Sequence, residues 1–161
     1  MIEYSRMLGG TFGLTLAALT RAYGDESVAT VILDPGVPYY TNGYGVFPAF
    51  QVRTASVAER YGEGMQRAPG GDPAGAFVDS ADVVAIAGSS GRWAVWGQRD
   101  WEIGLLCTPH DSGPWEKSPV PLFGRHVELN DLRAPAGWCL PLSDDDVSEF
   151  WQNLRSLGSG D

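Results

Sequence analysis

Four residues whose side chains bind transition metals lie in one part of the sequence. They are Cys107, His110, His126 and Cys139, which are all the cysteines and histidines of the chain. Sets of four thiolate and imidazole ligands are typical of tetrahedral zinc sites. However, their order is not that of a zinc finger, and Cys107 ends a predicted buried strand, where a free cysteine behaves as a small apolar side chain. We therefore predict that the chain binds neither a metal ion nor a cofactor.

The same residues could form a cysteine–histidine pair for nucleophilic catalysis, with Asp111 or Asn130 orienting the histidine. A reactive thiolate needs an electropositive setting, and neither cysteine has a basic neighbour in the sequence. Two glycine-rich segments also lack the pattern that their chemistry requires. Gly-Ser-Ser-Gly at 88–91 does not have the spacing of a serine hydrolase, and the glycines at 9–13 lack the lysine of a phosphate-binding loop. No residue is therefore predicted to be catalytic, and the sequence favours a protein that is not an enzyme.

Aromatic residues are concentrated in one segment that also contains glycines and prolines. Its members are Tyr39, Tyr40, Tyr44, Phe47 and Phe50. Tyrosine and tryptophan are rigid amphipathic side chains that often anchor protein interfaces. The same residues could instead close the edge of a small core, and the sequence does not distinguish these two roles. We predict a protein-binding face with four candidate residues: Tyr39, Tyr40, Tyr44 and Trp96.

The charge of the chain limits the partners that it can bind. Its 161 residues include 20 acidic and 11 basic side chains, which gives a net charge of −9 at pH 7. Nucleic-acid binding depends on neutralising phosphates with lysine and arginine, so this balance disfavours that partner and favours a basic protein. The apolar runs are too short to cross a membrane, and the N-terminus lacks the basic region of a signal peptide. We expect a cytoplasmic protein with a single domain, residues 1–161.

Three short apolar runs between residues 82 and 107 contain two of the candidate residues, Trp96 and Cys107. Turn sequences at 88–91 and 98–100 separate them, so they predict three consecutive antiparallel strands, a β-meander. Side chains alternate along a strand, which places Trp93 and Val95 on one face and Trp96 on the other. Together with the helices described next, this sheet predicts an α+β fold.

Helices are predicted before and after the meander. Apolar residues recur at helical spacing over 11–23, and Gly24 is placed to end that helix. Residues 143–157 begin with a capping box formed by Ser143 and Asp146. The same helix carries an apolar stripe of Val147, Phe150, Trp151 and Leu154. We expect the N-terminal and C-terminal helices to pack on the sheet.

The residues between the first helix and the meander predict a strand, a hairpin and a further helix. Val28–Leu33 is a β-branched run that ends at an Asp-Pro-Gly turn. The Asn-Gly pair at 42–43 is a strong signal for a type I′ hairpin turn. Pro38 and Pro48 restrict any flanking strands to the edge of a sheet. Residues 54–61 suit a helix with one apolar side.

One segment resembles part of a known class of protein. The sequence Trp-Ala-Val-Trp-Gly-Gln-Arg-Asp-Trp-Glu-Ile-Gly-Leu-Leu at 93–106 is similar to the strand–turn–strand core of immunity proteins that guard bacteria against polymorphic toxins. The resemblance implies a small, acidic, cytoplasmic α+β domain without catalytic residues that binds and inhibits a toxin. It covers only this segment, so it assigns no binding residues.

Two functions are compatible with the sequence. The first is a protein-binding domain whose partner is a basic toxin or enzyme that it inhibits. The second is an enzyme or small-molecule-binding domain with a pocket between the sheet and the segment Tyr39–Phe50. A pocket with two converging titratable groups would favour the second function. An acidic face with exposed aromatic side chains would favour the first.

Overall fold

The computed structural model describes residues 2–108 and four positions near the C-terminus, Asp145, Ser148, Glu149 and Gln152. Six strands within residues 2–108 form one sheet, and every neighbouring pair is antiparallel. They are β1 (Ile2–Glu3), β2 (Ser27–Asp34), β3 (Ala49–Arg53), β4 (Val83–Gly88), β5 (Ala94–Gln98) and β6 (Ile103–Cys107). Their order is β1-β6-β5-β4-β2-β3, so β1 and β3 are the outer strands of this sheet.

The structure confirms the predicted meander and the α+β fold. β4, β5 and β6 follow one another in the chain and lie side by side, with Gly97 opposite both Val84 and Gly104. Trp93 and Val95 are buried, whereas Trp96 is half-buried on the other face. The sheet is larger than three strands because β2 pairs with β4 and carries β3 on its far side.

Five α-helices within residues 2–108 cover one face of the sheet. They are α1 (Tyr4–Leu8), α2 (Phe12–Tyr23), α3 (Val37–Tyr44), α4 (Val57–Met65) and α5 (Phe77–Ser80). The core lies between these helices and the sheet. It includes Phe12, Leu16 and Tyr61 from the helices and Val28, Ile32, Val84 and Ile86 from the strands. None of the helices in the described part of the chain is long and apolar enough to cross a membrane.

Helices α2 and α4 confirm two of the predicted helices and lie close together. α2 ends at Gly24, whose φ of 70° is the left-handed conformation that glycine adopts readily. A Cβ atom at Gly13 of α2 would lie 2.6 Å from the carbonyl oxygen of Ala58, so only glycine permits this approach. The predicted helix over 54–61 begins with a 3₁₀ turn, Thr54–Ser56, and continues as α4 beyond its predicted end.

The segment with the Asn-Gly pair is a helix, α3, so the predicted hairpin is wrong. Pro38 lies in the first turn, where its fixed φ fits a helix and its missing N–H is not needed. Gly45 ends α3 with a φ of 68°. Tyr40 is 1% exposed and attaches the helix to the core. The turn preference of two residues is outweighed by these terminal signals and by the burial of a large aromatic side chain.

The predicted C-terminal helix lies almost entirely outside the described residues. The chain forms two compact units, Met1–Arg125 and His126–Asp161. The four described positions of the second unit are helical and exposed. The apolar stripe of Val147, Phe150, Trp151 and Leu154 lies outside the described residues, and its packing on the sheet stays a prediction.

Candidate functional site

The exposed large apolar side chains of the described residues are concentrated around α3. Tyr39, Tyr44 and Phe47 expose 50%, 41% and 62% of their surface, and Leu33 and Val37 are exposed as well. Single exposed apolar residues are ordinary, whereas a group of them marks an interaction surface. We refer to Val37, Tyr39, Tyr44 and Phe47 as the α3 face.

The two exposed tyrosines of the α3 face hold each other in place. The rings of Tyr39 and Tyr44 meet edge to face with their centroids 5.7 Å apart, and their hydroxyl oxygens are 3.3 Å apart. The Tyr44 ring also lies against Gly70, where an added Cβ atom would come within 2.8 Å of it. Because these contacts already restrict the side chains, less conformational entropy is lost when a partner covers them.

Tyr40 is buried in the core beneath the α3 face, and its ring packs edge to face on that of Tyr39 with centroids 5.0 Å apart. Its ring packs edge to face on Phe77 with centroids 5.6 Å apart, and its hydroxyl lies 3.3 Å from the Ser80 hydroxyl. The prediction that Tyr40 contributes to a binding face is therefore wrong. A helix directs consecutive side chains about 100° apart, so burial of Tyr40 leaves its neighbour Tyr39 exposed.

Trp96 is not part of the α3 face either. It lies on β5 between Ala85 of β4 and Leu105 of β6, and it is half-buried. Its side chain is on the sheet face opposite to the one that bears the helices, because its neighbour Val95 is in the core. α3 lies on the helical side, so the structure does not bring Trp96 together with Tyr39 and Tyr44.

Two exposed carboxylates act on the tyrosines of α3. The hydrogen bond with Tyr39 raises the pKa of Tyr44, and the negative charge of Asp72 adds to that rise. Burial raises the pKa of Tyr40, and Asp34 is among the charges that add to it. Both aspartates are exposed. Asp72 is thus close to the exposed Tyr44, whereas Asp34 is close to the buried Tyr40.

A buried polar network at one end of the sheet was not predicted from the sequence. Asp25 is 6% exposed, and its carboxylate accepts hydrogen bonds from Trp93 Nε1 at 2.7 Å and the Ser90 N–H at 2.6 Å. Burial alone would raise the pKa of Asp25, but these bonds stabilise the charged form and hold the pKa below its ordinary value. The donors lie 65 and 68 residues away in the sequence, so no local pattern reveals them.

The Asp25 network has a structural role. Ser89, in the turn between β4 and β5, accepts a hydrogen bond from the Glu26 N–H at 2.9 Å, and its own N–H donates to the Ser27 carbonyl at 3.0 Å. Arg92 donates a hydrogen bond to the Tyr23 carbonyl. Both carboxylate oxygens of Asp25 already have donors. The network therefore attaches the turn to the start of β2 and is not arranged to bind a substrate.

A groove with a volume of ≈ 480 Å³ lies between β3 and α4. Three arginines line it: Arg53 ends β3, Arg60 is on α4, and Arg67 follows the end of α4. Glu63 also lines the groove and pairs with Arg60 at 3.2 Å. We refer to this groove between β3 and α4 as the arginine groove. The sequence did not indicate it, because the spacing of the arginines has meaning only once α4 is placed beside β3.

The predicted absence of a metal site concerns residues that lie mostly outside the described part of the chain. Cys107 is a free cysteine at the end of β6, with an exposed surface, although partial burial raises the pKa of its thiol. His110, His126 and Cys139 lie outside the described residues. Within residues 2–108 and the four C-terminal positions, no three histidine, cysteine or acidic side chains are grouped as metal ligands.

The chain matches no model of a known protein family, no curated protein and no solved structure.

Proposed function

We propose that this chain is a protein-binding domain that holds a basic protein on its α3 face and inhibits it. The observation that carries the proposal is the position of the exposed apolar side chains. Among the described residues, five of the six lie between positions 33 and 47: Leu33, Val37, Tyr39, Tyr44 and Phe47. A surface with this concentration of apolar groups loses unfavourable contact with water when a partner covers it.

Charge supports a basic partner. The net charge of −9 produces a negative field around the protein, and Asp34 and Asp72 lie close enough to affect the tyrosines of α3. Such a field attracts a positively charged surface and increases the rate of encounter. The apolar side chains then supply the contact area that determines how slowly the complex dissociates.

The inhibitory role is the further part of the proposal. It rests on the resemblance of residues 93–106 to the strand–turn–strand core of bacterial immunity proteins. A protein of that class acts by occupying the surface that a toxin or enzyme needs for its own activity. We therefore infer that the partner is a basic toxin or enzyme.

The alternative of a small-molecule pocket under the segment 39–50 requires space between α3 and the sheet. Tyr40 occupies that region and packs on Phe77 with centroids 5.6 Å apart. This packing favours the binding of a partner on the outside of α3 over the binding of a ligand beneath it.

The test begins with the basic products of genes that neighbour the one encoding this chain. Each would be purified and titrated with the protein by calorimetry, and its own activity would be measured with and without the protein. For the product that binds, we expect Tyr39→Ala, Tyr44→Ala or Phe47→Ala to weaken binding by about 1 kcal/mol or more. The three residues are exposed, so these variants should keep the fold.

Leu14→Ala is the matched control, because Leu14 is 55% exposed on α2 and is not part of the α3 face. It should bind like the unchanged protein. Equal affinity for all three α3 variants and the control would place the interface elsewhere. Binding without loss of the partner's activity would contradict the inhibitory role alone.

A further inference from the structure

The arginine groove is unusual in charge for this protein. Three arginines and one glutamate line it, whereas the whole chain has 20 acidic and 11 basic residues. Arg60 pairs with Glu63, and both side chains are about two-thirds exposed. No ion pair joins Arg53 or Arg67 to another described residue. The groove therefore has guanidinium groups available to a ligand that carries carboxylates.

The floor of the groove is formed by the outer strand β3. The Thr54 N–H donates a hydrogen bond to the Glu26 carbonyl at 2.9 Å, and the Ile32 N–H donates one to the Pro48 carbonyl at 2.8 Å. Both pairs continue the register that joins β2 to β3. In an antiparallel pair, hydrogen-bonded positions alternate along each strand. Gln51 and Arg53 consequently direct their N–H and C=O groups away from β2, towards the side of β3 that no other strand of residues 2–108 occupies.

Helix α4 forms the opposite wall and runs close to this strand. Gly64 makes the approach possible, because a Cβ atom there would overlap the ring of Phe50. Phe50, Gln51, Arg53 and Arg60 line the groove. Because side chains alternate along β3, Arg53 borders the groove from the face of the strand opposite to Phe50 and α4. A strand edge with a helix beside it is a geometry that binds extended peptides by adding them to the sheet.

We propose that the arginine groove binds an extended acidic peptide segment of a protein partner, which adds to β3 as a further strand. The backbone groups of Gln51 and Arg53 would pair with the peptide backbone, and Arg53, Arg60 and Arg67 would bind its carboxylates. The residues of this site differ from those of the α3 face, and the site does not depend on the function proposed for that face.

A second copy of this chain is a poorer occupant than an acidic peptide. Pairing of two copies through β3 would bring the arginines of one copy towards those of the other, and like charges at an interface oppose association. Charged side chains on an outer strand can also serve only to prevent aggregation. That role does not account for Arg60 and Arg67, which approach the groove from the α4 side.

The experiment starts from a displayed library of random ten-residue peptides selected on the full chain. We expect enrichment of sequences that contain Asp or Glu among residues with high β-propensity. The affinity of a labelled enriched peptide would then be measured by fluorescence anisotropy. Enrichment of basic sequences, or no enrichment over an empty display vector, would overturn the proposal.

Two variants of one residue separate backbone recognition from side-chain recognition. Gln51→Pro removes the outward N–H but no hydrogen bond to β2, and an outer strand tolerates proline. It should weaken peptide binding by about tenfold, since a backbone hydrogen bond is lost and the ring occupies its place. Gln51→Ala keeps the N–H and removes only the side chain with its bond to Ser27, so it should bind the peptide about tenfold more tightly than Gln51→Pro. Equal affinity of both variants would overturn strand addition.

Arginine variants test the charge requirement. Arg53→Ala and Arg67→Ala should each weaken binding by about tenfold, because each removes a charge-assisted hydrogen bond. Arg21→Ala is the control, because Arg21 is an exposed arginine of α2 that does not line the groove. Circular dichroism would verify the fold of each variant. Equal loss in Arg21→Ala would show that only the overall charge matters and would contradict the groove as the site.

Discussion

At the scale of single residues, Asp25 is the clearest case of a side chain whose role the sequence conceals. Asp25 directly follows Gly24, the residue that ends α2, so the local sequence suggests a solvent-exposed loop residue. The structure buries it and gives each carboxylate oxygen a hydrogen-bond donor. A buried carboxylate without these donors would be strongly destabilising. The fold at this end of the sheet therefore depends on the ionised form of Asp25.

We expect Asp25→Asn to lower the free energy of unfolding by about 1.5–3 kcal/mol at neutral pH. The Ser90 N–H and the Trp93 indole bind different oxygens of Asp25, so an amide necessarily turns its NH₂ group towards one of these donors. Urea unfolding would measure the change. Asp100→Asn, at an exposed aspartate, should have little effect. A similar loss in both variants would contradict a specific role for the Asp25 network.

The pH dependence of stability should differ between the native chain and Asp25→Asn. The pKa of folded Asp25 is lowered, so the native state binds fewer protons than the unfolded state. Its contribution is complete above the unfolded pKa of about 3.9 and is lost as the pH falls through the folded value. We therefore expect the native chain to lose more stability than the variant upon acidification below about pH 4. Parallel pH profiles would show that Asp25 is not the group responsible.

Thr30 provides a second prediction for a single residue. Its hydroxyl is buried and has no hydrogen-bond partner among the described residues. Replacement by valine keeps the shape and removes a buried polar group, so Thr30→Val should raise the free energy of unfolding by about 1 kcal/mol. Thr20 is the control, because it is equally buried but donates a hydrogen bond to the Ala17 carbonyl at 3.1 Å. Thermal unfolding of Thr20→Val should show no such gain.

At the scale of elements, glycine spacing has a meaning that periodicity does not reveal. Gly13 weakens α2 as an isolated helix, since glycine in a helix is less favourable than alanine by up to about 1 kcal/mol. In the structure it lets the backbone of α2 approach that of α4. The packing between the two helices therefore outweighs the local preference.

Gly13→Ala should lower the free energy of unfolding by about 1–3 kcal/mol. Its new methyl group would lie 2.6 Å from the Ala58 carbonyl oxygen and 2.8 Å from that of Val57, so the helices must separate. Gly43→Ala in α3 is the matched control, because a Cβ atom there has no neighbour within 4 Å. It should raise stability by about 0.5–1 kcal/mol. Chemical denaturation of both variants would test this difference in sign.

At the scale of the whole molecule, the dominant property is the negative charge. With a net charge of −9, attraction of a basic partner extends over about 10 Å at moderate salt. The association rate of the proposed complex should therefore fall by about tenfold or more when the salt concentration rises from about 0.05 M to about 0.5 M. The dissociation rate should change less, because it depends on the apolar contacts of the α3 face. Stopped-flow measurements would separate the two rates, and a salt-independent association rate would contradict electrostatic attraction.

The sequence by itself determined the elements whose signals are complete within a few neighbouring residues. Alternation over residues 82–107 and short turns specified the meander, and apolar spacing with Gly24 specified α2. The β-branched run at 28–33 specified β2. These signals suffice because each element must bury an apolar face with its own period.

The tertiary structure alone decided how these elements are joined and which side chains remain at the surface. Burial of Tyr40 in the core stabilises the segment as helix α3, and Tyr39 and Tyr44 are then exposed. Pairing of β2 with β4 placed β3 at the outside of the described sheet, and only there do arginines from β3 and α4 line one groove. The Asp25 network likewise joins residues up to 69 positions apart. Such contacts form between residues that are far apart in the sequence, so no local pattern of residue types predicts them.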